Sequence, residues 1–164
     1  MVTAIDAWKA AGAAGDVASA VAALAADAEL ISPLTAQFTF RSRGEISQLL
    51  EAVFEVVSDY RYERDLRGDR EAFLTVRAQV RGVELHEVQH LELDQDGAIS
   101  RITMAGRPLP ALTALTRALG PALSRRQGNP AVARKLTLAG AFLDAMARTG
   151  DARYVPLAGP PRSP

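Results

Sequence analysis

The chain has 164 residues, 48% hydrophobic and 23% charged, which suits one well-buried globular domain and is too short for two ordinary ones. Its 19 basic and 19 acidic residues cancel to a net charge of zero, so no global field draws it to nucleic acid or to an anionic membrane. Without cysteine, disulfides, thiolate catalysis and Cys-ligated zinc are excluded.

The N-terminal dozen residues contain Asp6 and no continuous apolar run, unlike a signal peptide. No segment approaches the ~18 apolar residues of a membrane span, so a cytoplasmic protein is expected. Residues 4–14 read as a short Ala-rich helix carrying the only tryptophan, Trp8. Gly15-Asp16 breaks it, and Asp16 is placed to cap a second helix over residues 17–26. Residues 29–32 form a brief strand stopped by Pro33, which cannot donate to a ladder. The loop 33–41 carries Phe38 and Phe40, expected to tuck into the core. Ser42 with Glu45 three residues on makes a capping box. After it, Ile46, Leu49, Leu50, Val53, Phe54 and Val57 recur at helical spacing, an apolar stripe lying across something flat.

Four strands follow. Residues 60–66 alternate Tyr60, Tyr62, Arg64 and Leu66 against a solvated face, and residues 72–80 alternate Leu74, Val76, Ala78 and Val80 against Phe73, Thr75, Arg77 and Gln79. Gly68-Asp69 and Arg81-Gly82 are the turns. Residues 83–94 and 98–106 are joined at Asp96-Gly97, the strongest short hairpin signal in the chain. A helix over 109–123 is expected to be interrupted at Gly120-Pro121, and a last amphipathic helix spans 130–148, ended by Gly150. The order of elements is α+β, with helices on one face of an antiparallel meander and a conical cavity between them.

The stretch His86-Glu87-Val88-Gln89-His90 also matches the zinc-protease pattern H-E-x-x-H, which needs a helix to bring both imidazoles onto one metal. In a strand, residues four apart stand roughly 13 Å apart. With Leu85, Leu91 and Leu93 alternating and a hairpin following, the strand reading is preferred, and neither a metal nor a cofactor is expected. It puts Leu85, Glu87, Gln89, Leu91 and Leu93 on the apolar face, with a bulge near Glu87 as the alternative that would swap the earlier part.

The chain resembles the nuclear transport factor 2-like superfamily, in particular its bacterial SnoaL-like branch. The resemblance rests on Trp8 followed by Ala13-Ala14-Gly15-Asp16, Asp27-Ala28-Glu29-Leu30, Gly44-Glu45-Ile46 and Asp59-Tyr60-Arg61-Tyr62. Gly68-Asp69, residues 76–82, Asp96-Gly97-Ala98-Ile99 and Arg107-Pro108-Leu109 continue it. It implies a cone-shaped, cystatin-like fold over residues 1–125, a curved antiparallel sheet wrapped on N-terminal helices. Residues 126–150 would be a helical extension and 151–164 a flexible tail. It further implies an apolar pocket and a homodimer through the outer sheet face. Members include polyketide cyclases, ketosteroid isomerases and epoxide hydrolases, and also non-catalytic proteins, so fold alone names no activity. Gln89 stands where such proteins often place an Asp acting as acid/base, and glutamine cannot transfer a proton at neutral pH.

Glu87 is the candidate general base, since a carboxylate on an apolar concave face has its pKa raised by desolvation. Tyr62 is the candidate donor to a developing oxyanion. Trp8, Tyr60, Arg64, Gln89, Thr103 and Arg107 are expected to line the pocket, with Gln89 orienting the substrate. The expected ligand is a small hydrophobic molecule of polyketide, terpenoid or steroid type. A non-catalytic binding module is the competing expectation.

Overall fold

The computed structural model describes residues 3–160. Helix α1 (Ala4–Ala14) opens on a capping box, in which the Thr3 hydroxyl accepts the Asp6 N–H and the Asp6 carboxylate accepts the Thr3 N–H, both at 3.2 Å. It ends at Gly15, whose φ of 68° needs a residue without a side chain. Helix α2 (Val17–Ala22) is capped by Asp16 and is shorter than expected. Leu24 leaves the helix to begin strand β1 (Leu24–Ile31), where Leu24, Ala28 and Leu30 are fully buried.

Strand β2 (Phe40–Arg41) leads into α3 (Ser42–Val56). Half of the expected capping box forms: Glu45 accepts the Arg41 N–H at 2.6 Å, but the Ser42 hydroxyl caps nothing. The meander is β3 (Val57–Arg67), β4 (Glu71–Val80), β5 (Val83–Leu93) and β6 (Ile99–Arg107). Arg81 and Gly82 both take positive φ, 49° and 74°, the geometry of a two-residue hairpin turn that follows strand twist. At the second hairpin the Asp94 carboxylate accepts the N–H groups of Asp96 and Ala98, both at 2.9 Å, and fixes the turn.

The six strands run in the order β2-β1-β6-β5-β4-β3. The meander is antiparallel throughout, but β1 pairs with β6 in parallel, Leu30 beside Ile102, so the sheet is mixed where an antiparallel one was expected. Two bulges reset the alternation. Tyr62 stands opposite Val76 but Arg64 opposite Thr75, which turns Arg64 outward and Asp65 inward. Between β5 and β6 the register slips after Ile99, which turns Thr103 outward and Met104 inward.

Helix α4 (Leu109–Arg126) runs through Gly120-Pro121 without the expected break, with Leu119, Pro121 and Ala122 buried. Helix α5 (Pro130–Arg153) also passes Gly150 and packs chiefly on α4, and a short turn, Val155–Ala158, follows. The fold is the expected α+β cone: a curved, open sheet wraps α1 and α3, with α4 and α5 added beyond it. The core lies between the sheet's inner face, with Leu74, Val76, Leu91 and Ile102, and the helices, with Trp8, Ile46, Leu49 and Leu115. Among the described residues no helix is long and apolar enough to cross a membrane.

Candidate functional site

Strand β5 pairs with β4 residue by residue from Glu71 opposite Glu92 to Val80 opposite Val83, so no bulge disturbs it at Glu87. Period-two geometry then puts Leu85, Glu87, Gln89 and Leu91 on the buried face and His86, Val88 and His90 on the outer one. The two histidines are held separately. His86 pairs with Glu84 at 2.8 Å, while His90 pairs with Glu71 at 2.8 Å and stacks on Phe73 with ring centroids 4.2 Å apart. A strand cannot bring them to one metal, and the H-E-x-x-H resemblance fails on geometry.

At the centre of the inner face Gln89 is completely buried. Its Oε1 accepts the indole N–H of Trp8 at 2.9 Å. Its Nε2 donates to the Tyr60 hydroxyl at 2.6 Å and to Glu87 Oε1 at 2.7 Å. Both donors are therefore engaged and the oxygen already accepts, so Gln89 positions its neighbours rather than presenting itself to a ligand as expected. The Tyr60 hydroxyl lies 3.4 Å from Glu87 Oε1 and also hydrogen-bonds Tyr62. The rings of Tyr60 and Tyr62 meet edge-on at 5.6 Å.

Helix α1 is held in the register that places Trp8. Lys9 pairs with Asp65 at 2.6 Å, and Arg67 bridges Asp65 at 2.8 Å and Asp6 at 2.7 Å. The bulge after Tyr62 is what turns Asp65 toward α1 and makes this clamp possible. Tyr62 leans on the same helix: a Cβ on Gly12 would stand 2.6 Å from its hydroxyl oxygen, so only glycine leaves room there.

Burial raises the Glu87 carboxyl above its ordinary value, with hydrogen bonds from Gln89 and Tyr60 opposing the shift. Burial likewise pushes both tyrosines well above the phenol range, so they are neutral donors at any working pH. The chamber in front of them has a volume of about 50 Å³ and is walled by Trp8, Leu30, Leu50, Phe54, Leu85 and Met104 among others. That is room for a few waters or a small head group, far below the ~300–1,000 Å³ of sites enclosing a drug-sized ligand.

Of the residues expected to line the pocket, Trp8, Tyr60, Tyr62, Glu87 and Gln89 come together. Arg64, Thr103 and Arg107 do not. All three face outward, Arg64 and Thr103 because of the bulges and Arg107 because it pairs with outward His86. Arg64 and Arg107 instead border an open recess on the outer sheet face. Leu66, exposed at 74%, is turned out with Arg64's half of the strand. Gly12, Met104 and Leu119 line the chamber without having been expected to. An apolar residue on the inner face of a slipped strand is the only signal Met104 carries, and the slip hid it.

Compared by sequence, the chain matches no family model and no curated protein. Its structure is similar to that of a steroid delta-isomerase from Pseudomonas aeruginosa, at 27% identity and a TM-score of 0.65 over 76% of this chain and 89% of that one. It is also similar to an uncharacterised bacterial protein with a cystatin-like fold from Silicibacter pomeroyi, at 24% identity and a TM-score of 0.69 over 83% and 93% of the two chains. A nuclear transport factor 2-like protein of unknown function from Cytophaga hutchinsonii aligns at 13% identity and a TM-score of 0.56 over 67% and 95%. The chain shares with these proteins the cystatin-like, nuclear transport factor 2-like fold, with helices on the concave face of a curved sheet.

Proposed function

We propose that the protein is an acid/base enzyme that moves a proton at the carbon beside a ketone carbonyl in a small apolar molecule, an isomerase-type reaction. The observation that carries this reading is a buried carboxylate with a raised pKa, Glu87, sharing an apolar chamber with two neutral tyrosine hydroxyls. The ionised Glu87 would take the proton, and the bond's electron pair would move onto the carbonyl oxygen as an enolate. Tyr62 would donate its hydroxyl hydrogen bond to that oxygen. Glu87 would then return the proton to the far carbon of an adjacent double bond. The similarity to a steroid delta-isomerase is in keeping with this chemistry.

A non-catalytic ligand-binding module is the second reading, and it draws on the saturated Gln89: a polar cluster that satisfies itself is also a way to specify a core. One experiment separates the two. Wild type should convert allyl methyl ketone to its conjugated isomer, with a rate that rises with pH through the raised Glu87 value. Glu87→Gln should lower that rate by about 10²–10⁴-fold, the usual worth of a general base, while far-UV circular dichroism stays unchanged. Equal rates in the two proteins would remove Glu87 from any mechanism and leave the binding reading.

A further inference from the structure

We propose that the open groove between loop 32–39, α3 and α4 is the outer half of the ligand site. It takes the apolar body of an uncharged, elongated ligand whose single oxygen-bearing head enters the Glu87 chamber, and this rests on the chamber being a ketone site. The two compartments are unequal. The chamber measures about 50 Å³ and the groove about 880 Å³. They share Ser32, Leu34, Leu49 and Leu119 in their linings, so the two compartments adjoin at these residues. Of these, Ser32 and Leu34 lie on the loop, outside helix and strand, and are only partly buried.

The charge pattern selects the ligand. Neither lining contains an arginine, lysine or histidine. The one carboxylate in the groove, Glu45, already accepts the Arg41 N–H at 2.6 Å. An anionic head would enter a desolvated chamber that holds Glu87 and no counter-charge, which disfavours it. A ligand whose entering head is a phosphate or carboxylate is therefore excluded, and one whose head is a neutral ketone or alcohol is not. At the groove's rim Phe38 is 56% exposed and meets Phe40 edge-on at 5.4 Å, an uncovered aromatic wall against which an apolar chain would pack.

Trp8, the only tryptophan, lines the chamber and reports the arrival of a head group. The test titrates the full chain with methyl octyl ketone and with decanoate, equal in length and different in charge, at about pH 8, where the acid is ionised. The ketone should shift Trp8 emission saturably, and decanoate should bind at least about tenfold more weakly. Thr116→Phe and Gln48→Phe fill the groove from α4 and α3 without touching the chamber. Each should weaken methyl octyl ketone by about fivefold or more and leave turnover of allyl methyl ketone, which needs only the chamber, unchanged. Equal binding of decanoate, or filled-groove variants that bind the long ketone normally, would overturn the groove assignment and leave the chamber reading standing. Trp8 emission unmoved by either ketone, with no isomerisation, would overturn both.

Discussion

At the scale of single residues the site turns on Glu87, a carboxylate that burial holds above the ordinary value of 4.5. Between that value and the raised one, the folded chain keeps a proton that the unfolded chain has lost. The stability this confers is complete below the ordinary value and is lost as pH rises through the folded value. Glu87→Gln cannot lose a proton and retains an oxygen for the Gln89 N–H. The variant should therefore match the wild type near pH 4 and exceed it by a widening margin toward neutral pH. Thermal melting across that range would show it as a difference in Tm of a few degrees. A constant difference at all pH values would mean that Glu87 does not titrate in a buried setting. Glu87 and Gln89 were readable from the sequence because β5 is regular, and alternation alone assigns their face. Arg64 and Thr103 were not, because a bulge shifts the period by one and leaves no mark in residue type. The Trp8–Gln89 bond joins residues 81 apart and no local pattern announces it.

At the scale of elements, the meander was legible since each strand pairs with its sequence neighbour across a tight turn. The parallel contact of β1 with β6 was not, because its partners, Leu30 and Ile102 among them, stand 72 residues apart. Gly120-Pro121 reads locally as a break, yet α4 continues because Leu119, Pro121 and Ala122 are buried together, and packing outweighs the lost N–H. The α4–α5 hairpin depends on a close approach at Gly140, where a Cβ would lie 2.7 Å from the Arg117 Cα. Beside it, buried Asp144 is paired with Arg117 at 3.1 Å and Arg148 at 3.0 Å. Gly140→Leu would drive the helices apart, an overpacking cost of about 1–3 kcal/mol or more, and would strain that ion pair. Since α5 rests chiefly on α4, amide hydrogen exchange should show α5 losing protection while β5 keeps its own. Uniform loss over the whole chain would show instead that α5 is integral to the cone.

At the scale of the whole molecule two surfaces are candidates for contact with a second copy. The outer sheet face, where a homodimer was expected, carries exposed Phe73 and Val88 but is crossed by ion pairs, Arg77 with Glu63 at 2.8 Å and with Glu84 at 3.4 Å. The far side of α5 carries Leu138, Phe142 and Met146, exposed at 75%, 67% and 57% and spaced four residues apart, one apolar ridge that nothing in the fold covers. The ridge centres on Phe142, near the middle of the helix. Two such helices packed antiparallel about a twofold axis would set Phe142 against Phe142. Burying an uncovered Leu-Phe-Met ridge gains about 1.5–3 kcal/mol per side chain, more than a face whose ion pairs must be partly desolvated. Phe142→Glu is thus expected to reduce the mass measured by light scattering from dimer to monomer, and Val88→Glu to leave it unchanged. The reverse pattern would assign the contact to the sheet, and a monomeric wild type at high concentration would leave the ridge free for a partner of another kind.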